Sequence, residues 1–230
     1  MDSVIDKSTP TSQKGYEKMK RLIVAITGAS GAIYGVRTLE ALRTVGDLEI
    51  HLIVSPSAAR TLLAETDSTL EELRNLAHCV HSHKDIGASI ASGSFKTNGM
   101  MVVPCSVKTL SGIANCYAED LVNRAADVCL KERRRLVLLF RETPLHSGHI
   151  SLMDQATRMG AIVMPPIPSF YHRPQTIDDI VNQSVGRMLD LFDLGNDLVS
   201  RWTGTNVSDK EKLEPRCAAI SSANGSPARG

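Results

Sequence analysis

The chain has 230 residues, 42% of them hydrophobic, and 26 Lys and Arg against 25 Asp and Glu leave a formal charge of +1. That is enough apolar material for a core of generous size, and too even a charge balance to draw in DNA, RNA or an anionic membrane through a global field. No apolar run approaches the ~20 residues of a membrane-spanning helix. The cysteines (Cys79, Cys105, Cys116, Cys129 and Cys217) are odd in number and scattered without a C-x-x-C pair, which speaks against a disulfide framework and against a zinc site.

Residues 1–20 read as a polar tail without the apolar centre of a secretory signal. They contain no Arg and carry Asp2, Asp6 and Glu17, which suits a mitochondrial transit peptide poorly, so cytoplasm is expected and mitochondria are the alternative. Residues 21–202 form the expected single domain, and 203–230 a second polar tail. Within the domain, short runs rich in Val, Ile and Leu occur at Leu22–Ile26, Ile50–Val54, Met100–Val103, Leu136–Phe140 and Ala161–Met164. They are continuous rather than alternating, which predicts strands buried on both faces of a parallel sheet. Helical spacing appears between them, at Ile33, Val36, Leu39 and Leu42, and another helix is marked by Leu121, Ala125, Val128 and Leu130. Ser68 and Glu71 are placed as a capping box ahead of Leu70, Leu73 and Leu76, and a last helix is predicted from Thr176 through Leu194. A β-α-β-α rhythm with about five strands implies a doubly wound α/β sheet of Rossmann-like kind.

Ligands of such a sheet bind at the carboxyl ends of its strands. The turn Thr27-Gly28-Ala29-Ser30-Gly31-Ala32 follows the first strand, and its small residues let backbone amides and a helix N-terminus approach an anion; a glycine turn needed only for packing is the plainer reading. The full G-x-G-x-x-G fingerprint is absent, the second strand ends Val54-Ser55-Pro56 without a ribose-binding acid, and no G-K-[ST] follows. A mononucleotide such as FMN therefore fits better than NAD or ATP, with Ser55 as a polar contact. Pro104-Cys105-Ser106-Val107-Lys108-Thr109-Leu110 offers a second cradle after the third run, or an ordinary N-cap. Cys105 reads as a buried small residue rather than a nucleophile. Arg124 and Lys131 lie two turns apart on one helix face and would present two cations to one anion, although most of the run through Arg133-Arg134-Arg135 suits a solvated helix end. Arg141-Glu142 closes the fourth strand, and Glu142 beside cations is an acid/base candidate, or half of a surface ion pair. Tyr171, in a proline-stiffened loop, and Arg187, on the last helix, are further phosphate contacts by type.

The motifs Thr-Gly-Ala-Ser-Gly-Ala at 27–32, Ala-Ser-Gly-Ser at 91–94, Cys-Ser-Val-Lys-Thr-Leu at 105–110, Arg-Ala-Ala-Asp-Val at 124–128, Leu-Lys-Glu-Arg-Arg at 130–134, Arg-Glu-Thr-Pro-Leu at 141–145 and Phe-Tyr-His-Arg-Pro at 170–174 stand in this order. Together they resemble the flavin prenyltransferase family over about residues 21–202. The resemblance implies a flavodoxin-like, Rossmann-type homo-oligomer, usually a dodecamer, with active sites at subunit interfaces. It implies transfer of a dimethylallyl group from dimethylallyl phosphate to N5 and C6 of reduced FMN, without a metal. Prenylated FMN then passes to a partner decarboxylase of the non-oxidative type. By position, Gly28, Ala29, Ser30, Ser55, Ser106, Val107, Lys108, Thr109 and Arg141 resemble the FMN contacts. Lys131, Tyr171 and Arg187, with Arg124 in addition, resemble the prenyl-phosphate clamp, and Ser30, Lys131 and Glu142 the catalytic side chains. Two positions depart from the family pattern: Phe140, where many relatives carry a smaller residue or proline, and Ile86, where some carry a tryptophan. Related flavin-dependent cysteine decarboxylases would show a catalytic histidine at a strand tip and an Asn-rich motif, whereas His51 falls within a predicted strand. A non-catalytic FMN-binding module is the other alternative; it would have no use for a phosphate clamp converging beyond the flavin.

Overall fold

A computed structural model describes residues 20–202 and Gly204; the two polar tails expected at 1–20 and 203–230 lie otherwise outside the described residues. Six parallel strands form one sheet, β1 (Lys20–Ile26), β2 (Leu48–Val54), β3 (Cys79–His81), β4 (Gly99–Cys105), β5 (Arg135–Phe140) and β6 (Ile162–Val163), in the order β3-β2-β1-β4-β5-β6. The helices are α1 (Ala32–Arg43), α2 (Pro56–Glu65), α3 (Leu70–Asn75), α4 (Val107–Ala114), α5 (Leu121–Lys131), α6 (Ser147–Arg158) and α7 (Ile177–Asp190). The order reverses between β1 and β4, so the loops that leave these two strands part and leave a crevice at their carboxyl ends.

Alternate residues of the central strands feed two cores, which is why their sequences read as unbroken apolar runs. Leu22, Val24 and Ile26 pack under α1 and α7 with Leu39, Val185 and Leu189. Ile23, Ala25 and Val102 pack on the other side with Leu110, Ala125 and Cys129. Pro104 is tolerated in β4 because the register between β4 and β5 shifts between Val102 and Cys105.

Several boundaries differ from the sequence reading. The capping box lies one residue later, with the Thr69 side chain accepting from Glu72 N and the Glu72 carboxylate accepting from Thr69 N. Both Ser68/Glu71 and Thr69/Glu72 have the required spacing, and the later pair buries Leu73. A sixth strand, β3, went unread because Cys-Val-His is three residues long and carries no apolar run. Helix α2 starts at the Ser55-Pro56 step, with Ser55 accepting from Ala58 N and proline at the first helical position. The last helix ends at Asp190, and the buried Phe192 and Leu194 belong to the turn beyond it.

Candidate active site

The crevice at the reversal point is a cleft of about 680 Å³ lined by Gly28, Ala29, Ser30, Ser55, Ser106, Val107, Lys108, Thr109, Arg141 and Glu142. Every position that resembled a flavin contact thus meets one hollow, and its size falls within the roughly 300–1,000 Å³ usual for small-molecule sites.

Its walls are tied together at the root. Thr27 is buried, donates its hydroxyl to Pro104 O at 2.8 Å and accepts from Ser106 N at 2.9 Å, so one side chain fixes the loops after β1 and β4 against each other. Ser55 N donates to Ile26 O at 3.0 Å, and Arg141 N to Cys105 O at 3.1 Å, setting the other two loops in register. Gly28 faces α2 so closely that a Cβ there would stand 2.3 Å from Ser57 Cβ. The backbone must be bare at that point for the loop to pass. Ser106 caps α4 by accepting from Thr109 N, and the amides of Val107 and Lys108 in the same first turn take no acceptor among the described residues. That helix start, with the hydroxyls of Ser106 and Thr109 beside it, is the amide cradle that suits a phosphate.

The first turn of α1 serves a different purpose from the one its sequence suggested. Gly31, at φ +103°, ends the loop in a left-handed conformation. The amides of Gly31 and Ala32 then both donate to Glu65 Oε2, at 2.7 and 2.9 Å. An internal carboxylate from the end of α2 already fills this helix N-terminus. Burial works to raise the Glu65 pKa, but hydrogen bonds from Ser30 and from the amides of Ala32 and Gly31 outweigh it and hold the carboxyl below the usual range. Glu65 thereby fixes Ser30 at the mouth of the cleft. Nothing in the chain's local pattern points to Glu65, because its partners lie more than thirty positions away.

On the far wall Glu142 accepts from Thr143 N at 2.9 Å, holding its carboxylate at the rim beside Arg141. His83, Lys84 and Asp120 also line the cleft and were not foreseen. His83 Nε2 stands 3.4 Å from Asp120 Oδ2, and Asp120 also caps α5. Cys105 is fully buried, and burial pushes its thiol far up, in keeping with a packing role; Cys129 is likewise pushed up to about 12. Phe140 is buried, with His149 edge-on to its ring, and Ile86 is exposed.

The expected clamp does not converge within one chain. Arg124 is held by Asp127 at 2.8 Å and by Ala91 O at 3.2 Å, while Lys131 pairs with its neighbour Glu132. A Cβ at Gly93 would stand 2.8 Å from Lys131 Nζ, which places this lysine against the Ala91–Ser94 stretch. The cause is topological: α5 runs antiparallel to the strands, so its last residue lies at the amino end of β5, roughly 20 Å from the carboxyl edge at ~3.3 Å per strand residue. Tyr171 and Arg187 share a different hollow of about 630 Å³ with Val199, Arg201 and Trp202. There the Tyr171 hydroxyl accepts from Gln183 Nε2 at 2.6 Å and donates to Ser200 O at 3.1 Å, and Arg187 pairs with Asp190 at 3.0 Å. Within one chain Arg124 and Lys131 are thus each engaged by a neighbouring acid, and neither they nor Tyr171 and Arg187 line the cleft of their own chain. His51 is buried in the middle of β2, not at a strand tip.

Comparison with known proteins agrees with this geometry. The Flavoprotein family matches residues 10–189. The chain is 60% identical over 188 residues to "Flavin prenyltransferase UbiX" of Escherichia coli K12, covering 81% of this chain and all of that protein. Among solved structures it is similar to AnUbiX (PadA1) in complex with FMN and dimethylallyl pyrophosphate, with TM-score 0.79 and 49% identity over 81% of this chain and 99% of that one. It is equally similar to a dodecameric FMN-dependent UbiX-like decarboxylase from Escherichia coli O157:H7, with TM-score 0.79 and 48% identity over 80% of this chain and the whole of that one.

Proposed function

Because the chain belongs to the flavin prenyltransferase family, we propose that it joins a dimethylallyl group from dimethylallyl phosphate to N5 and C6 of reduced FMN, in a cleft that other copies of the chain complete. The observation that carries this reading is the division of the site: the flavin-type positions and Glu142 line one hollow, while the phosphate-type cations lie outside it.

The cleft fits a flavin mononucleotide on its own terms. The start of α4 offers two amides and two hydroxyls for a terminal phosphate, and the bare backbone at Gly28 lets the loop after β1 lie flat against whatever occupies the hollow. The reduced flavin, when bound, supplies the nucleophilic positions. The protein's part is binding, orientation and charge. Ser106, Thr109 and the amides of Val107 and Lys108 hold the phosphate, with Ser55 beside them. Gly28, Ala29 and Ser30 form the opposite wall, and Arg141 stands at the rim. Ser30, oriented by Glu65, and Glu142 face the space where the allylic phosphate would enter. Departure of that phosphate is fast when its developing negative charge meets fixed cations and a phenol. Lys131 and Arg124 of one neighbouring copy, and Tyr171 and Arg187 of another, fit that need by type. Glu142 is placed to give a proton to the departing phosphate oxygen or to take one from the ring.

The reading includes a homo-oligomer, with a dodecamer as its most direct form, and release of prenylated FMN to a non-oxidative decarboxylase. Exposed Ile167, Phe170, Tyr171 and Trp202 offer the apolar surface such an assembly would cover. A cytoplasmic location belongs to the same reading; among the described residues no helix is long and apolar enough to cross a membrane. A cysteine-decarboxylase activity is not favoured, since the relatives at 57% and 60% identity are flavin prenyltransferases and the sequence has no Asn-rich motif.

The experiment is anaerobic incubation of the protein with reduced FMN and dimethylallyl phosphate, followed by mass spectrometry of the released flavin. A flavin heavier by one C5 unit is expected. Return of unmodified FMN from folded, FMN-binding protein would end the proposal.

A further inference from the structure

A second group of chemistry-bearing side chains assembles on the sheet, away from the cleft. Glu49 and His51 are two residues apart in β2 and so project from one face. Parallel register sets Arg21 of β1 beside Glu49, Cys79 of β3 beside His51 and His81 beside Ile53, in successive rows on the same face. Glu49 Oε1 stands 3.2 Å from His51 Nε2 and 3.8 Å from Cys79 Sγ. The three donor atoms all lie within 4.8 Å of one another. Ligand atoms around a tetrahedral zinc with ordinary bond lengths are roughly 3.3–3.7 Å apart.

The surroundings hold these atoms in place. His51 is 2% exposed, and its Nε2 has no hydrogen-bond partner among the described residues. Its Nδ1 lies 2.9 Å from His81 Nε2, with the two rings stacked, so the Nε2 edge is turned toward the carboxylate and the thiol. Glu49 binds Arg21 Nε through its other oxygen at 2.8 Å, which leaves Oε1 facing His51 and Cys79. A buried nitrogen whose carboxylate neighbour, at 3.2 Å, lies off the hydrogen-bond direction is poorly satisfied. A cation between these three atoms would satisfy the imidazole, the carboxylate and the thiol at once.

We propose that Glu49, His51 and Cys79 form a binding site for a borderline-soft divalent metal ion, zinc in the first place, with His81 orienting the imidazole and water completing the coordination. One imidazole, one thiolate and one carboxylate match that class and not calcium or magnesium, which take all-oxygen sets. Binding replaces the Cys79 S–H bond by a sulfur–metal bond, and the proton leaves to solvent with no change of oxidation state. The site lies toward the amino half of β2, at the opposite end from Ser55 and the cleft. Its effect is to fasten the three-residue edge strand β3 to β2 and to shield the Cys79 thiol from oxidation. Sequence spacing hides this grouping, because only the sheet register brings the three residues together.

The test uses the full-length holoprotein carrying C116S and C217S, which removes the exposed Cys116 and the cysteine outside the described residues. After chelator treatment it is titrated with Zn2+ against a chromophoric competitor, and with Co2+ by difference absorption. One zinc per chain is expected, with a thiolate-to-cobalt charge-transfer band in the near ultraviolet and a Tm that rises with zinc. C79S should abolish the band and the Tm response, and H81Q should weaken zinc by about 10–100-fold, the usual effect of losing a ligand's orienting partner. Both variants should keep FMN binding. Should C79S fail to fold, E49Q must show the same loss of stoichiometric zinc. Zinc uptake no tighter than in these variants, or a cobalt band that survives C79S, would overturn the proposal.

Discussion

Complementation between two inactive variants probes the divided site most sharply. Lys131 lies at the amino end of β5 and Glu142 just beyond its carboxyl end, so the two cannot serve one cleft from one chain. K131A removes a cation from the departing phosphate and E142Q removes the proton-bearing carboxyl, and each should lower turnover about 10²–10³-fold, the usual loss for one stabilising group. FMN affinity should change little for K131A, whose side chain is remote from its own chain's cleft. Mixed one-to-one in a single assembly, a site works only if one chain supplies intact Glu142 and another supplies intact Lys131. Each condition is met half the time, so about one quarter of wild-type activity should return in a symmetric oligomer with sites shared between chains. The assay is co-expression with two affinity tags, tandem purification of mixed assemblies, and product quantification by chromatography with mass detection. Activity no higher than the better parent would refute the shared-site reasoning, because residues serving one chain's own cleft cannot complement.

Three further outcomes follow from the cleft walls. T27V keeps shape but leaves Pro104 O and Ser106 N without their buried partner, so it should cost about 1–3 kcal/mol in urea unfolding and weaken FMN binding measured by fluorescence quenching. G28A drives a methyl group into Ser57, an overpacking worth about 1–3 kcal/mol, and should weaken FMN binding at least as much as T27V does. Glu65 has a folded pKa below its ordinary value, so its contribution to stability is complete above the unfolded carboxylate value and disappears as pH falls through the folded one. E65Q should therefore flatten the acid side of the curve of urea midpoint against pH, and it should lower turnover through a misplaced Ser30; an acid limb as steep as wild type would remove Glu65 from that role.

The sheet was readable where burial on both faces wrote continuous apolar runs, as in Leu22–Ile26 and Leu136–Phe140. It was unreadable at Cys79–His81, whose half-exposed residues carry chemistry rather than hydrophobicity. Helix α6 buries one residue, Ala156, and so left almost no periodic trace. The flavin-type positions were legible because each follows a strand directly, and the topology gathers strand ends at one edge. Glu65, His83 and Asp120 were not, because only tertiary packing brings them there. The clamp is a different case: residue type and the family resemblance singled out Lys131, Tyr171 and Arg187 and implied sites at subunit interfaces, but a single sequence does not show that all three lie outside their own chain's cleft. The Glu49–His51–Cys79 group stayed hidden because strand register, and not spacing, joins residues 28 positions apart.

The most direct measurement is an experimental structure of the assembled protein with FMN bound. The account expects the flavin phosphate on the Ser106–Thr109 turn, and Lys131 of one neighbour with Tyr171 and Arg187 of another facing Glu142 across the flavin ring. An assembly in which those three side chains point into solvent or into other contacts at every interface would contradict it.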